Sequence, residues 1–447
     1  MTHTFIPAPE ILDSPRGRRL AGATPAALVV PDLPALPASA PVVIVGGGLA
    51  SLTLAARLWH HGIRDYLILE RGTRLGGQFF ERVAAVGQLI LRSPYEHHPG
   101  AEGHRDCEML DFARLNWEHL TATEQNEVRM AQSGQRAVAP LDVFEGYCSH
   151  VAATHGVTGQ ARRADVREVV ADGAGWRVLT DRGEVRAEAV VLAVGEVRRP
   201  APEHWDTTST HVRYWDQHCE RPAGGRHAVI GAGLSSAHIV HDLCNRGLPV
   251  DWVFRGTEHY QCADVNAAFF RPEGRAMFHQ DSLEQRRSML SVERRPSIMF
   301  EFRPRLQAWE ESGLLTVHRG AEITDLQTDG EGAHLAIAGG APLSVDQVHL
   351  ALGTNTVFTA QVSGAKLTFH EGMPLMDEHT LQVSGVPGLY AIGALGSLAL
   401  GPATRNIDGH RVAAARIADA LREQFQASDS RPIATTPESA QLARRSA

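Results

Sequence analysis

Two glycine turns in this 447-residue chain have the residue types and spacing to hold a pyrophosphate. The first, Gly46-x-Gly48-x-x-Ser51, follows the apolar run Val42–Val45, and the second, Gly231-x-Gly233-x-Ser235-Ser236, follows Ala228–Ile230. Backbone N–H groups and the dipole at a helix N-terminus favour an anion, and glycine lets it come close. The residue that would choose the nucleotide lies 24 positions after the first glycine in both units: Glu70 in one, Arg255 in the other. A carboxylate accepts ribose hydroxyls and repels a 2′-phosphate, whereas a guanidinium binds that phosphate bidentately. The first unit therefore suits FAD or NAD and the second suits NADPH, which together imply hydride transfer from NADPH to a flavin.

These turns need strands before them and helices after them. Leu49–His61 carries apolar residues at helical spacing, and Tyr66–Leu69 is a second apolar strand ending on Glu70. The second unit repeats this with a helix through Arg246 and the strand Asp251–Phe254. In Arg71-Gly-Thr-Arg-Leu-Gly-Gly77-Gln78 the paired glycines let the backbone run close to a flat ligand. Cys107–Met130 and Pro140–His155 read as helices. The runs Asp165–Ala171, Trp176–Asp181 and Glu184–Val194 read as a three-stranded antiparallel insert, closing in the buried strand Val190–Gly195. Val348–Gly353 mirrors that strand and is read as the return to the first sheet. Gly388–Gly393 and a helix over Asp408–Gln424 complete the order.

The expected organisation is an arm or linker over 1–40 and the first part of an FAD-binding domain over 41–200. An NADPH-binding domain over 201–344, the second FAD part over 345–426 and a frayed tail over 427–447 follow. The arm is rich in proline (Pro31, Pro34, Pro37) and lacks periodicity.

Composition narrows the classes. A net charge of −8 gives no basic footprint for nucleic acid, and no run of 18 apolar residues suggests a membrane span. The five cysteines (Cys107, Cys148, Cys219, Cys244, Cys262) are scattered without a C-x-x-C pair. That spacing argues for a reducing compartment, the cytoplasm, and against a redox disulfide or a zinc site. The histidines of Leu91-Arg-Ser-Pro-Tyr-Glu-His97-His98-Pro-Gly100 have no third ligand at metal spacing, so no metal is expected. They either pack the loop or line an active-site wall. Asn266 and Asp264 either cap a loop or touch substrate. Arg405, Asn406 and His410 stand at a helix start, with or without a catalytic role.

With these residues together, the chain resembles the two-dinucleotide-binding flavoproteins and, within them, the class B flavin monooxygenases. These include flavin-containing monooxygenases, Baeyer–Villiger enzymes and the N-hydroxylases of ornithine and lysine. Gly46, Gly48 and Glu70 match that family's FAD fingerprint, and Gly231, Gly233, Ser235 and Ser236 match its NADPH turn. Ala193–Gly195 and Ala351–Gly353 correspond to the strand ends that hinge the two domains. Gly388–Gly393 resembles the strand that reaches the ribityl chain, and Thr404–Asp408 resembles the helix start beside the isoalloxazine. Asp264–Phe269 is similar to the segment in which an N-hydroxylase asparagine meets substrate, and His98-Pro-Gly100 to those enzymes' tryptophan-histidine loop. The linker signature survives only as Trp205, Thr207, His211 and Trp215, and Ala394 stands where the family often has an acid.

The resemblance implies an α/β fold of two Rossmann-like domains, the second inserted in the first. It implies a single-component FAD- and NADPH-dependent monooxygenase of specialised metabolism that inserts one oxygen atom through a C4a-(hydro)peroxyflavin, by N-hydroxylation or Baeyer–Villiger-type oxidation. The partners would be a small-molecule substrate and molecular oxygen, with a homo-oligomer left open. Cofactor contacts would come from Gly46, Gly48, Ser51, Glu70, Arg71, Gly77, Gln78, Gly195, Gly231, Gly233, Ser235, Ser236, Arg255, Gly353, Gly393 and Asn406, and the catalytic side from His97, His98, Asn266 and Arg405. A flavin reductase, oxidase or cyclase without oxygen insertion, or a non-enzymatic redox module, is the competing expectation.

Overall fold

The computed structural model describes residues 8–429, apart from 33–34, 102, 105–107, 174 and 218–223. Cys107, Cys219, Pro34 and the tail from residue 430 lie outside the described residues.

The first sheet grows from β1 (Ser39–Val45), whose Val42, Val43 and Ile44 are wholly buried because both faces are covered. Its turn leads into α1 (Leu49–His60), and β2 (Leu67–Glu70) returns parallel, with Val43 opposite Leu67. Helices α2 (Gly77–Ala85), α3 (Met109–Leu115), α4 (Ala122–Gln132) and α5 (Leu141–Thr154) follow. The stretch read as one helix from Cys107 to Met130 is two, because Thr121 and Glu124 form a reciprocal capping box that starts α4 afresh. Strands β3 (Ala161–Arg163), β4 (Val166–Asp172), β5 (Gly175–Thr180) and β6 (Gly183–Leu192) come next. The first half of β6 pairs antiparallel with β5 and all but its start pairs parallel with β1, so the insert and the nucleotide sheet share one strand.

A second sheet holds β8 (Val212–Tyr214), β9 (His227–Ile230), β10 (Val250–Phe254), β11 (Leu315–Arg319) and β15 (Gln347–Leu350), with α6 (Leu234–Asn245) after the second glycine turn. All its neighbours are parallel, in the order β11-β10-β9-β15-β8. The antiparallel strands β12 (Ile323–Thr328), β13 (Ala333–Ile337) and β14 (Leu343–Val345) lead into β15. This corrects the reading of Val348–Gly353. Val348–Leu350 pair with Ala228–Ile230 of the second sheet, so the second domain extends past residue 344. The likeness of the two segments records equivalent places in two sheets: each lies beside its own glycine-turn strand. The first sheet is regained at an edge strand, Val362–Ser363, beside Val169–Val170 of β4, and again at β20 (Leu389–Ala391), which runs beside Val190–Leu192.

Between them, β7 (Val197–Arg198) and β16 (Thr354–Asn355) pair antiparallel, so the two chain crossings form one hinge. Beyond it come the edge strand β17 (Val362–Ser363), a hairpin of β18 (Phe369–His370) and β19 (Met373–Pro374), the short α10 (Ser397–Leu400) and the long α11 (Ile407–Asp429). Helices α7 (Pro272–Gln280), α8 (Leu283–Glu293) and α9 (Arg303–Glu311) lie between β10 and β11 in the chain. Among the described residues no helix is long and apolar enough to cross a membrane.

Residues 8–32 are packed and do not form a free arm. Ile11 and Leu12 are buried in the second domain's core, while Leu20 and Leu28 join the first. Asp13 pairs with Arg305 of α9, and Arg18 pairs with Glu124 and Asp142 of the first domain. Single 3-10 turns at Pro9–Asp13 and Pro25–Leu28 carry these apolar pairs, too short to leave a period in the sequence.

Candidate cofactor clefts and hinge site

The two glycine turns are built alike. Gly46 N–H donates to the Leu69 carbonyl (2.8 Å) and Gly231 N–H to the Val253 carbonyl (3.0 Å). Both glycines have positive φ, +101° and +129°, and a Cβ would lie 2.5 Å from the Ala193 carbonyl oxygen in one and 2.3 Å from that of Ala351 in the other. No other residue fits there. Gly48 and Gly233 are the N-caps of α1 and α6. The hydroxyls of Ser51 and Ser236 are turned back onto the carbonyls of Gly46 (2.5 Å) and Gly233 (2.6 Å). These hydroxyl bonds brace the two loops. Trp252, which sequence reasoning passed over, braces the second turn by donating to the Gly231 carbonyl at 2.7 Å.

A cleft of about 550 Å³ runs from Val45–Gly48 past Glu70, Arg71, Gly77 and Gln78 to Gly195–Arg198. Glu70 accepts from Gly47 N–H (2.5 Å) and Gly72 N–H (2.7 Å), so it orders the loop and keeps lone pairs for ribose hydroxyls. A Cβ on Gly47 would press on Glu70 at 2.9 Å, whereas one on Gly48 would meet nothing within 4 Å. This cradle fits the adenosine and pyrophosphate of FAD. In the second unit Ser235 lies in the first turn of α6, and Arg255 is exposed with no ionic or hydrogen-bonding partner among the described residues. A free guanidinium beside a helix N-terminus fits NADPH.

The hinge holds the remaining site residues. Glu196, next to Gly195, accepts from Arg405 (2.5 Å), Thr354 (3.1 Å) and Thr356 (3.0 Å). Thr354 follows Gly353, so the two strand ends are tied through Arg405, which also donates to Thr354 at 2.7 Å. Burial would raise the Glu196 carboxyl, but Arg405 and Arg294 hold it below its usual range. Asn406 accepts from Arg294 at 3.2 Å. His410, in the first turn of α11, has its Nε2 3.8 Å from where a Cβ on Gly393 would stand. Burial pushes its pKa down to about 4. Helices α7 and α8 cover this corner, with Val265, Phe269, Phe278 and Leu290 packed on Leu398 and Ala403. Glu196, Thr354, Thr356 and Arg294 were not marked from sequence. The one signal was the repeated strand-end glycine, whose next residue reaches across the hinge.

The candidate catalytic residues divide. His97 packs on Phe270 with ring centroids 4.8 Å apart, and burial, reinforced by Arg411, lowers its pKa to about 4. His98 is wholly buried, with Nδ1 3.0 Å from the Tyr147 hydroxyl and Nε2 2.8 Å from Glu108. Both nitrogens are engaged, so His98 belongs to the packing of its loop and not to an active-site wall. Asn266 is exposed and caps the 3-10 turn Ala267–Phe270 by accepting from Ala268 N–H at 3.0 Å. Of the two roles open to it, capping is the one this geometry fills.

His98→Ala would strip a buried hydroxyl of its partner, at a cost of about 1–3 kcal/mol. A lower urea midpoint for the variant is the expected result, and an unchanged midpoint would refute it. The bond from His98 is the chief cause holding the Glu108 carboxyl below its ordinary value of 4.5. The stability from that pair is therefore present above pH 4.5 and lost as pH falls through the lower folded value. The variant should show a weaker acid dependence than the parent.

Two Rossmann-like halves, one with a flavin-type turn and one with an NADPH-type turn, define a two-dinucleotide flavoprotein. The chain belongs to the pyridine nucleotide-disulphide oxidoreductase family, which it matches over residues 40–415. Its cofactors are FAD and NADPH. It is 27% identical over 211 residues to a Baeyer–Villiger monooxygenase of Streptomyces coelicolor, covering 45% of this chain and 35% of that one. The chain thus spans about a third of that relative's length. An ornithine hydroxylase from Pseudomonas aeruginosa shares the fold with a TM-score of 0.70 at 17% identity, over 87% of this chain and 100% of that chain. A bacillithiol disulfide reductase from Bacillus cereus does so with a TM-score of 0.59 at 17% identity, over 86% and 99%.

Proposed function

We propose that the protein is a single-component, FAD- and NADPH-dependent monooxygenase that inserts one oxygen atom into a small organic substrate, at an amine nitrogen or beside a carbonyl. The observation that carries this reading is the hinge: the strand ends Gly195 and Gly353, each beside its own glycine turn, come together through the β7–β16 pair. A nicotinamide held by the second domain is thereby directed to a flavin held by the first. Glu70 and the start of α1 would hold FAD, and Arg255 and the start of α6 would hold NADPH. Flavin, once reduced by NADPH, supplies the two electrons that activate oxygen. The described cysteines offer no onward route for them. Cys148 and Cys244 are buried on α5 and α6, and Cys262 is exposed and free. The apolar cover from α7 and α8 would keep water from the reacting centre. His97 carries no charge near neutral pH and can accept a proton there. The scattered cysteines support a reducing compartment, the cytoplasm.

Isotope labelling tests the reading once a substrate is found among amines and ketones. With ¹⁸O₂ the product should gain one heavy oxygen, and with H₂¹⁸O none beyond exchange. A product formed without oxygen would leave a reductase or cyclase instead.

A further inference from the structure

Three guanidiniums and two carboxylates meet where the hinge joins the start of α11. Arg92 pairs with Asp264 at 2.7 Å, and Arg405 pairs with Glu196 at 2.5 Å. Arg294, at the end of α8, has no carboxylate within ion-pairing distance among the described residues. Its Nη1 donates to the Pro402 carbonyl (3.0 Å) and its Nη2 to the Asn406 side-chain oxygen (3.2 Å), both neutral acceptors. A guanidinium has five N–H donors, so these bonds leave capacity for an anion.

The rest of the corner compensates that charge only in part and from a distance. Asp264 and Glu196 each already serve another arginine, and Glu196 also takes two threonine hydroxyls. His97 and His410 are neutral near pH 7. Burial, with Arg405 next in weight, draws Arg294 down to about 9. Two further guanidinium donors at this corner, Arg92 Nε and Arg405 Nε, and the Nδ1 edge of His410 are buried without a partner among the described residues. Arg294 is half-buried, and Asp264 and Glu196 attract it from beyond ion-pairing distance; with each of them bonded to another arginine, the three guanidiniums outnumber these two carboxylates, which favours an added anion. The anionic parts of the two nucleotides have their own places, the pyrophosphate at the start of α1 and the 2′-phosphate at Arg255. Neither requires Arg294.

We propose that Arg294 is an anion-binding residue of the substrate site, and that the substrate carries a carboxylate that this guanidinium receives. Calling the ligand a substrate rests on the monooxygenase reading; the anion site itself does not. The planar fork of arginine matches a carboxylate bidentately and discriminates against a neutral amide of the same shape.

The test uses oxidised, FAD-loaded protein without turnover. It is titrated with acetate and with acetamide while the flavin absorbance is followed, and crystals of the same protein are soaked in bromide for anomalous diffraction. Acetate should perturb the spectrum saturably and acetamide at least about tenfold more weakly. Bromide should lie against Arg294, and Arg294→Met should lose acetate binding about tenfold while Arg294→Lys keeps part of it. Equal titration by acetate and acetamide, or no bromide at Arg294, overturns the proposal. So does Arg294→Met binding acetate normally while shifting the flavin reduction potential, since the charge would then serve the cofactor. Should the methionine variant fail to fold, the acetate–acetamide comparison on the parent protein still decides. A protein that binds acetate but incorporates no ¹⁸O keeps the anion site and loses the monooxygenase reading.

Discussion

Gly48→Val is expected to yield folded protein without flavin. Gly48 has φ −68° and ψ −176°, an extended conformation that valine adopts readily. A Cβ there meets no atom within 4 Å, so the side chain enters only the space a pyrophosphate would need. Valine is a poor N-cap, and the cost to α1 is about 1 kcal/mol, too little to unfold a chain with two large cores. Gly46 is the contrasting position. Its φ of +101° and the Ala193 carbonyl 2.5 Å from a Cβ mean that substitution there damages the fold itself. The measurement is flavin absorbance per protein, with circular dichroism as the check on folding. Full flavin occupancy in a folded Gly48→Val protein would sink the assignment of the first cleft.

Arg255→Ala should raise the KM for NADPH roughly ten- to a hundredfold and leave that for NADH nearly unchanged. Removing a charge-assisted bidentate contact costs about 1.5–3 kcal/mol, and the exposure of Arg255 puts the effect nearer the lower end. No partner within the chain competes for its guanidinium among the described residues, so little is lost from the fold. Steady-state kinetics with both coenzymes would check this. An equal effect on the two would make Arg255 a structural residue and leave coenzyme choice unexplained.

Much of the fold was legible because its signals are local. The glycine turns, the apolar strands before them and the acid-versus-base contrast of Glu70 and Arg255 depend on residues within about one supersecondary unit. The antiparallel run through β4, β5 and β6 was legible for the same reason, since alternation and two turn signals lie within the stretch itself. The candidate catalytic residues were less so. His98 and Asn266 stood in polar loops that looked available, but buried partners for one and a backbone cap for the other are long-range or conformational facts. The N-terminal stretch was misread because short 3-10 turns have no period, although Ile11-Leu12 and Ala27-Leu28 are buried.

The sequence by itself determined that this chain carries two nucleotide-binding units, one suited to FAD and one to NADPH, and lacks a C-x-x-C cysteine pair. Those facts are written in spacing, side-chain charge and composition, which need no coordinates. Only the tertiary structure decided which sheet receives Val348–Leu350, since identical strand patterns are compatible with either sheet until pairing is known. It alone also decided how charge is matched at the hinge. Arg405 finds Glu196 across 209 residues, while Arg294 reaches Asn406 across 112 and finds no carboxylate among the described residues. Whether a charge is compensated depends on what the fold places within a few ångströms of it, and distance along the chain carries no information about that.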